Sequence, residues 1–163
     1  MGLFDRLKKN TPAEEKGCVY SPVNGTAETL ESLNDGMFSE KIMGDGIVVV
    51  PSDGEFKAPV SGVVETAFPT GHAYGIVTDD GLEVMVHIGI DTVDMNGRGF
   101  SPHVKQGQRV RVGDRLVTVD LDAVKAAGHP TSTVVILTGG NEIADRTEEK
   151  TKVRSGDQIL KMD

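Results

Sequence analysis

Two phrases in this chain each occur twice. SPVNGTAET, Ser21–Thr29, is echoed by APVSGVVET, Ala58–Thr66, which agrees with it at Pro, Val, Gly, Glu and Thr. VRVGDRLVTVD, Val110–Asp120, is echoed by VRSGDQILKMD, Val153–Asp163, agreeing at Val, Arg, Gly, Asp and the closing Asp. A chain that repeats short β-like phrases around Gly and Gly-Asp turn signals is constrained to build related β-motifs and pack them against each other. At 163 residues there is room for one ordinary domain with a real core, not for two comfortable ones. The 20 glycines favour many tight turns over long helices. The predicted class is all-β: a compact antiparallel β-sandwich or barrel-sandwich with one or two short helices.

Strands are expected at Gly46–Val50, Gly75–Thr78, Arg115–Val119 and Thr133–Leu137. The one convincing helix is LDAVKAAG, with Asp120 placed to cap its start, Gly128 its end and Pro130 just beyond. A fifth strand carries the chemistry. In GLEVMVHIGIDTV, Gly81–Val93, a period of two places Leu82, Val84, Val86 and Ile88 on a core face and Glu83, Met85 and His87 on the other.

Upstream, TGHAYGIVTDDGLEVMVH sets His72 and His87 on either side of a DDG turn signal, which predicts a hairpin. A two-residue Asp79-Asp80 loop pairs His72 directly with His87, with Cβ atoms roughly 5 Å apart. An Asp80-Gly81 loop leaves them diagonal on the same face. A three-residue loop closed by a glycine bulge at Gly81 is the third arrangement, and a bulge re-aims side chains. In either two-residue arrangement the imidazoles lie away from the core stripe.

One such histidine alone is better read as a satisfied structural group, but two at mirror positions across a hairpin point to function. Metal binding, acid–base catalysis and nucleophilic phosphoryl acceptance are the chemistries open to them. Zinc needs three or four ligands, and the nearest further candidates, Asp91, His103 and His129, come without an HxH, HExxH or CxxC pattern. Phosphoryl transfer asks for less: one neutral imidazole, donors for the phosphoryl oxygens and room for an in-line partner. His87 as acceptor, with His72 and the Thr70 hydroxyl as donors, fits that requirement. The carbonyl of Gly89 is positioned to fix the ring's tautomer.

A net charge of -8 and a pI near 5.0 argue against a phosphate-backbone binder, so no nucleic-acid partner is expected. Cys18 is the only cysteine and MGLFDRLKKN lacks the apolar run of a signal peptide, which makes the cytoplasm the expected location. Residues 1–17 read as a flexible segment. The sharper reading, from Leu3, Phe4 and Leu7 beside Arg6, Lys8 and Lys9, is an amphipathic helix giving weak membrane contact through Met1–Asn10. Residues 18–163 form the expected domain.

PTGHAYGI and VMVHIGIDTV, preceded by FSEKIMGDGIVVVPSDGEFKAPVSG and followed by GFSPHVKQGQRVRVGD, closely resemble enzyme IIA (EIIA) of the glucose type, from the bacterial phosphoenolpyruvate:sugar phosphotransferase system. The resemblance runs from about Val19 to the C-terminus. It implies an antiparallel β-sandwich that takes a phosphoryl group from the carrier HPr and passes it to a sugar-specific EIIB. Carried over by position, His87 is phosphorylated through Nε2, His72 and Thr70 support the group, and Gly89 supplies the orienting carbonyl. Met37, Phe38, Ile42, Met43, Phe68, Met85 and Val93 fall on an apolar partner-binding ring, one or two of them being better read as core. Asp35 and Asp91 fall where HPr's arginine is met. Regulated transporters or enzymes are further partners for some members of the family. No cofactor or metal is implied beyond the transient phosphoryl group. Gly71 stands where a larger residue is usual, and Met85 where an aromatic is.

Two rivals share parts of this pattern. A biotinyl or lipoyl carrier needs a displayed lysine in a Met-Lys-Met or Asp-Lys-Ala setting, which is missing. A zinc-dependent lysostaphin-like peptidase needs His-x-His, and Met85 stands two before His87.

Overall fold

The computed structural model describes residues 16–162. The expected N-terminal segment, residues 1–17, therefore lies outside the described residues up to residue 15. Fourteen strands follow among those described. They are β1 (Cys18–Tyr20), β2 (Gly25–Glu28), β3 (Asp45–Pro51), β4 (Glu55–Lys57), β5 (Gly62–Ala67), β6 (Ala73–Val77) and β7 (Glu83–Ile88), then β8 (Phe100–Pro102), β9 (Arg109–Val110), β10 (Arg115–Val119), β11 (Thr133–Leu137), β12 (Ile143–Arg146), β13 (Lys152–Val153) and β14 (Gln158–Met162). They form an eight-stranded sheet, β13-β2-β3-β11-β7-β6-β5-β9, and two three-stranded sheets, β1-β14-β12 and β4-β10-β8. Neighbouring strands run antiparallel throughout. The predicted strands at Arg115–Val119 and Thr133–Leu137 fall on the same residues as β10 and β11, and the all-β class holds.

The helix α1 spans Leu121–Ala126, and the Asp120 carboxylate accepts from the Ala123 amide at 3.2 Å as its cap. Leu30–Leu33 and Thr92–Met95 are single 3-10 turns. No helix among the described residues is long and apolar enough to cross a membrane.

The sequence echoes are a structural duplication. Gly25 of β2 pairs with Val153 of β13, and Gly62 of β5 pairs with Val110 of β9. The cross-connections between the two copies are reciprocal: Tyr20 N–H donates to the Pro59 carbonyl at 2.9 Å, and Lys57 N–H to the Pro22 carbonyl at 2.7 Å. Ser21 N–H donates to the Asp157 carbonyl at 2.7 Å, as Ala58 N–H does to that of Asp114 at 2.8 Å. Gly25 and Gly62 persist in both phrases for one reason: a Cβ at either would overlap a carbonyl of the neighbouring strand, Val50 or Val77.

The same pseudo-twofold relates β3 to β6 and β11 to β7 at the middle of the large sheet. The pairs Gly46↔Ile136 and Ala27↔Val49 repeat Ala73↔His87 and Val64↔Ile76. By this register His87 is equivalent to Ile136, and His72 to Asp45.

The main core is filled from the inner face of the large sheet by Ile47, Val49, Tyr74, Ile76, Val84, Val86 and Val135, and from the small sheets by Phe56, Leu116, Val117, Ile159 and Leu160. A second cluster covers the outer face: Leu30, Phe38, Val48, Val134 and Ile136, with Leu33, Met85 and Ile90 packed on it. That face is where the loop from Asn34 to Gly44 lies and where His87 emerges.

Candidate functional site

His87 sits near the end of β7, between Ala73 of β6 and Val134 of β11, on the face opposite the core stripe. The hairpin register differs from both two-residue arrangements. Thr78 N–H donates to the Leu82 carbonyl at 2.9 Å across a three-residue loop, Asp79-Asp80-Gly81, and Gly81 has φ +88°. His87 is thus opposite Ala73, not His72. The loop glycine takes the left-handed conformation that lets the third arrangement form.

The two imidazoles nevertheless meet. His72 precedes β6, where the chain turns at Thr70–Gly71, so its side chain is not bound to the alternation of the strand. Its carbonyl still accepts from Ile88 N–H at 2.7 Å. The rings lie edge to face, with centroids 5.0 Å apart and planes at 83°. Phe38 stands 5.0 Å from His87 and Phe68 5.2 Å from His72.

Each ring is fixed through Nδ1. His87 Nδ1 is 2.8 Å from the Gly89 carbonyl oxygen, which can only accept, so Nδ1 carries the proton and Nε2 keeps its lone pair. Gly89 is buried with φ +76°, and a Cβ there would fall on the Thr92 methyl and 3.0 Å from the Pro130 carbonyl. The Thr92 hydroxyl donates to the Ile88 carbonyl at 2.6 Å, fastening the turn after the strand. His72 Nδ1 is hydrogen-bonded to the Thr70 hydroxyl at 2.5 Å.

Electrostatics keep both rings neutral at ordinary pH. Burial pulls His72 from 6.5 down to about 4, with the neighbouring His87 as the second cause; the side chain is 2% exposed. Burial also lowers His87, against the Gly89 carbonyl and the charges of Asp91 and Asp35, which favour its protonated form. His87 is half-buried, its remaining exposure leaving it within reach of a visitor, while His72 backs it from inside.

The expected apolar ring divides. Met37, Ile42, Met43, Phe68 and Val93 are exposed. Phe38 is the ring member that reads as core and not as exposed surface: it is buried in the outer cluster, a large ring wedged between the sheet and its own loop, and meets His87 from within. Met85 is half-buried on the same cluster. Val50, not singled out from the sequence, is exposed on β3, where alternation sets it on the outer face two residues beyond Val48. Nothing in the run GIVVV distinguishes it.

Asp35 and Asp91 differ in their engagement. Burial pushes the Asp35 carboxyl up, but N–H bonds from Met37, Phe38 and Ser39 outweigh it and hold the group below its usual range. Asp91 is exposed, with φ 61° and no side-chain cap bond. His103 lies elsewhere: its Nε2 is 2.7 Å from the Thr118 hydroxyl and accepts from Arg115 at 3.2 Å. Among the described residues no three His, Cys, Asp or Glu side chains group in a way that could hold a metal ion.

An antiparallel β-protein with two neutral imidazoles at an apolar opening has the frame of a phosphohistidine carrier. The family model described as "phosphoenolpyruvate-dependent sugar phosphotransferase system, EIIA 1" matches residues 18–143. The chain is 53% identical over 133 residues to the PTS system glucose-specific EIICBA component of Streptococcus pneumoniae, a stretch that is 82% of this chain but only 18% of that protein. It is 40% identical over 160 residues to the PTS system glucose-specific EIIA component of Halalkalibacterium halodurans, covering 98% of this chain and 92% of that one. The solved structure of glucose permease IIA from Mycoplasma capricolum matches with a TM-score of 0.83 and 41% identity, over 88% of this chain and 93% of that chain. The protein belongs to the EIIA family of the sugar phosphotransferase system. Components of that family carry phosphoryl groups between proteins during sugar uptake. The peptidase and biotinyl or lipoyl readings find no support.

Proposed function

We propose that Nε2 of His87 accepts the phosphoryl group from phospho-HPr and releases it to an EIIB domain. The observation that carries the reading is the Nδ1–Gly89 bond, which fixes the tautomer and leaves Nε2 with a lone pair beside a second neutral ring. In the accepting step the N–P bond to the donor's histidine breaks as the Nε2–P bond forms, in line. Depression of the His87 pKa keeps the nucleophile unprotonated at neutral pH.

Thr70 acts through His72 in this reading. Its hydroxyl donates to His72 Nδ1, which places the imidazole proton on Nε2, where it bonds a phosphoryl oxygen. The exposed side chains Met37, Ile42, Met43, Phe68 and Val93 exclude water around the transfer, and methionine adapts to two partners in turn. Asp35 and Asp91 meet a basic group on HPr. Residues 18–163 act as one phosphocarrier domain in the cytoplasm, with no resident cofactor. The glucose-specific names of both relatives support a glucose-class permease as the acceptor.

Incubation with phosphoenolpyruvate, enzyme I and HPr is expected to give an acid-labile, base-stable phosphoryl adduct. Loss of the adduct in His87→Ala supports the assignment, and labelling that persists there rules it out.

A further inference from the structure

Asp45 stands where the loop from Asn34 to Gly44 re-enters the large sheet, at the position equivalent to His72. A guanidinium fork grips it. Arg146 Nη1 donates to Oδ1 at 3.2 Å, Nη2 donates to Oδ2 at 2.8 Å, and Nη1 also donates to the Gly46 carbonyl at 2.8 Å. The Lys41 ammonium lies 3.7 Å from Asp45 and 3.5 Å from Glu31, linking the 3-10 turn at the loop's entrance to the strand at its exit. About a third of each fork side chain is exposed, whereas the Arg109–Asp79 pair is 61% and 80% exposed. The fork is therefore the less screened of the two.

The loop itself is thinly held. Phe38 fastens its middle to the outer cluster, and the Asp35 carboxylate caps its first turn. Beyond Phe38 the backbone bonds from Lys41 N–H to Phe38, Ile42 N–H to Met37 and Gly44 N–H to Lys41 each close within the loop. Lys41 ties this second half to Asp45 at the start of β3, and the fork in turn ties Asp45 to Arg146 of β12.

We propose that Arg146 is a positioning residue for partner docking: by gripping Asp45 it fixes the exit of the loop, so that Met37, Ile42 and Met43 meet the phosphocarrier partner as a preformed apolar surface. A surface already ordered does not lose that freedom on binding, so the fork acts on affinity and not on the chemical step. The inference rests on the reading of His87 as acceptor and of this surface as the dock.

The test is phosphoryl transfer from phospho-HPr, followed by rapid quench, together with amide hydrogen exchange. Arg146→Met is expected to raise the KM for phospho-HPr roughly 5- to 20-fold and to leave kcat within about twofold. Exchange should quicken at residues 39–44 and stay unchanged at residues 84–88. Arg146→Lys is expected to recover less than half of the affinity, because a point charge does not match the fork. The double variant Asp45→Asn/Arg146→Met leaves no unpaired carboxylate; it should regain stability and keep the raised KM.

A normal KM in either folded variant overturns the proposal, as does a fall in kcat with KM unchanged. Failure of the unsubstituted protein to accept phosphate strikes the His87 reading instead. The exchange pattern then decides alone whether Arg146 orders the loop.

Discussion

The two halves of the eight-stranded sheet share one backbone plan and carry different cargo. In one half Gly71-His72-Ala73 leads into β6, opposite His87 and Ile88. In the other, Gly44-Asp45-Gly46 leads into β3, opposite Ile136 and Leu137. Even the bond after the central strand is repeated: Gly89 N–H donates to the Ser132 carbonyl at 3.0 Å, and Thr138 N–H to that of Glu83 at 3.1 Å. Yet one half holds two uncharged imidazoles with an open Nε2, and the other a buried isoleucine and a clamped carboxylate. The duplicated frame places a site without specifying its chemistry. What distinguishes the halves is which side chains are left unpaired toward solvent.

The largest expected effect comes from weakening the chemical half. His72→Gln exchanges the imidazole donor for an amide and keeps the acceptor, His87. Phosphorylation by HPr should persist while onward transfer to EIIB falls roughly 100-fold or more, read by following both half-reactions. Equal losses in the two would refute the division of labour.

Equivalent substitutions at Gly89 and Thr138 sharpen the contrast. Gly89→Ala forces a side chain into a left-handed backbone against Thr92 and should cost about 2–4 kcal/mol in urea unfolding. Thr138→Ala, at an exposed site, should stay within about 0.5 kcal/mol.

Acid separates the halves next. His72 has a folded pKa near 4 against 6.5 in the unfolded chain, so the unfolded state binds the extra proton between those values. This contribution to stability is present above about pH 6.5 and is lost as pH falls toward 4, about 3 kcal/mol in all. Denaturant midpoints across that range should show the loss, and His72→Gln should reduce it. The smallest effect concerns Tyr74, equivalent to Ile47: its buried hydroxyl has no hydrogen-bond partner among the described residues. Tyr74→Phe should leave stability unchanged or raise it by about 1 kcal/mol, whereas a loss of that size would reveal a partner for the hydroxyl.

Much of this was legible in the sequence because it is local or repeated. The echoed Gly and Gly-Asp phrases gave the duplicated β-motifs, and Asp120 and Gly128 bracketed the helix. The convergence of His72 and His87 is legible in the sequence, although the route to it is not. Pairing followed the bulged loop at Gly81, and the turn before β6 brought the rings together. The shorter echo, Gly44-Asp45-Gly46 with Gly71-His72-Ala73, is hidden in the sequence because its central residues differ in chemistry. Arg146 and Asp45 are 101 residues apart, and no local period announces such a pair. Phe38 was placed on the exposed ring by the family resemblance, with Met37, Ile42 and Met43; only the packing of the loop onto Val48, Val134 and Ile136 buries it.

Locating the phosphoryl group on the ring decides whether His87 accepts it through Nε2. Nitrogen-15 and phosphorus-31 NMR of histidine-labelled protein, phosphorylated through enzyme I and HPr, should show one modified imidazole, His87, bonded at Nε2, with Nδ1 still protonated toward Gly89. A phosphoryl group on Nδ1, on His72 or on another residue would contradict that reading.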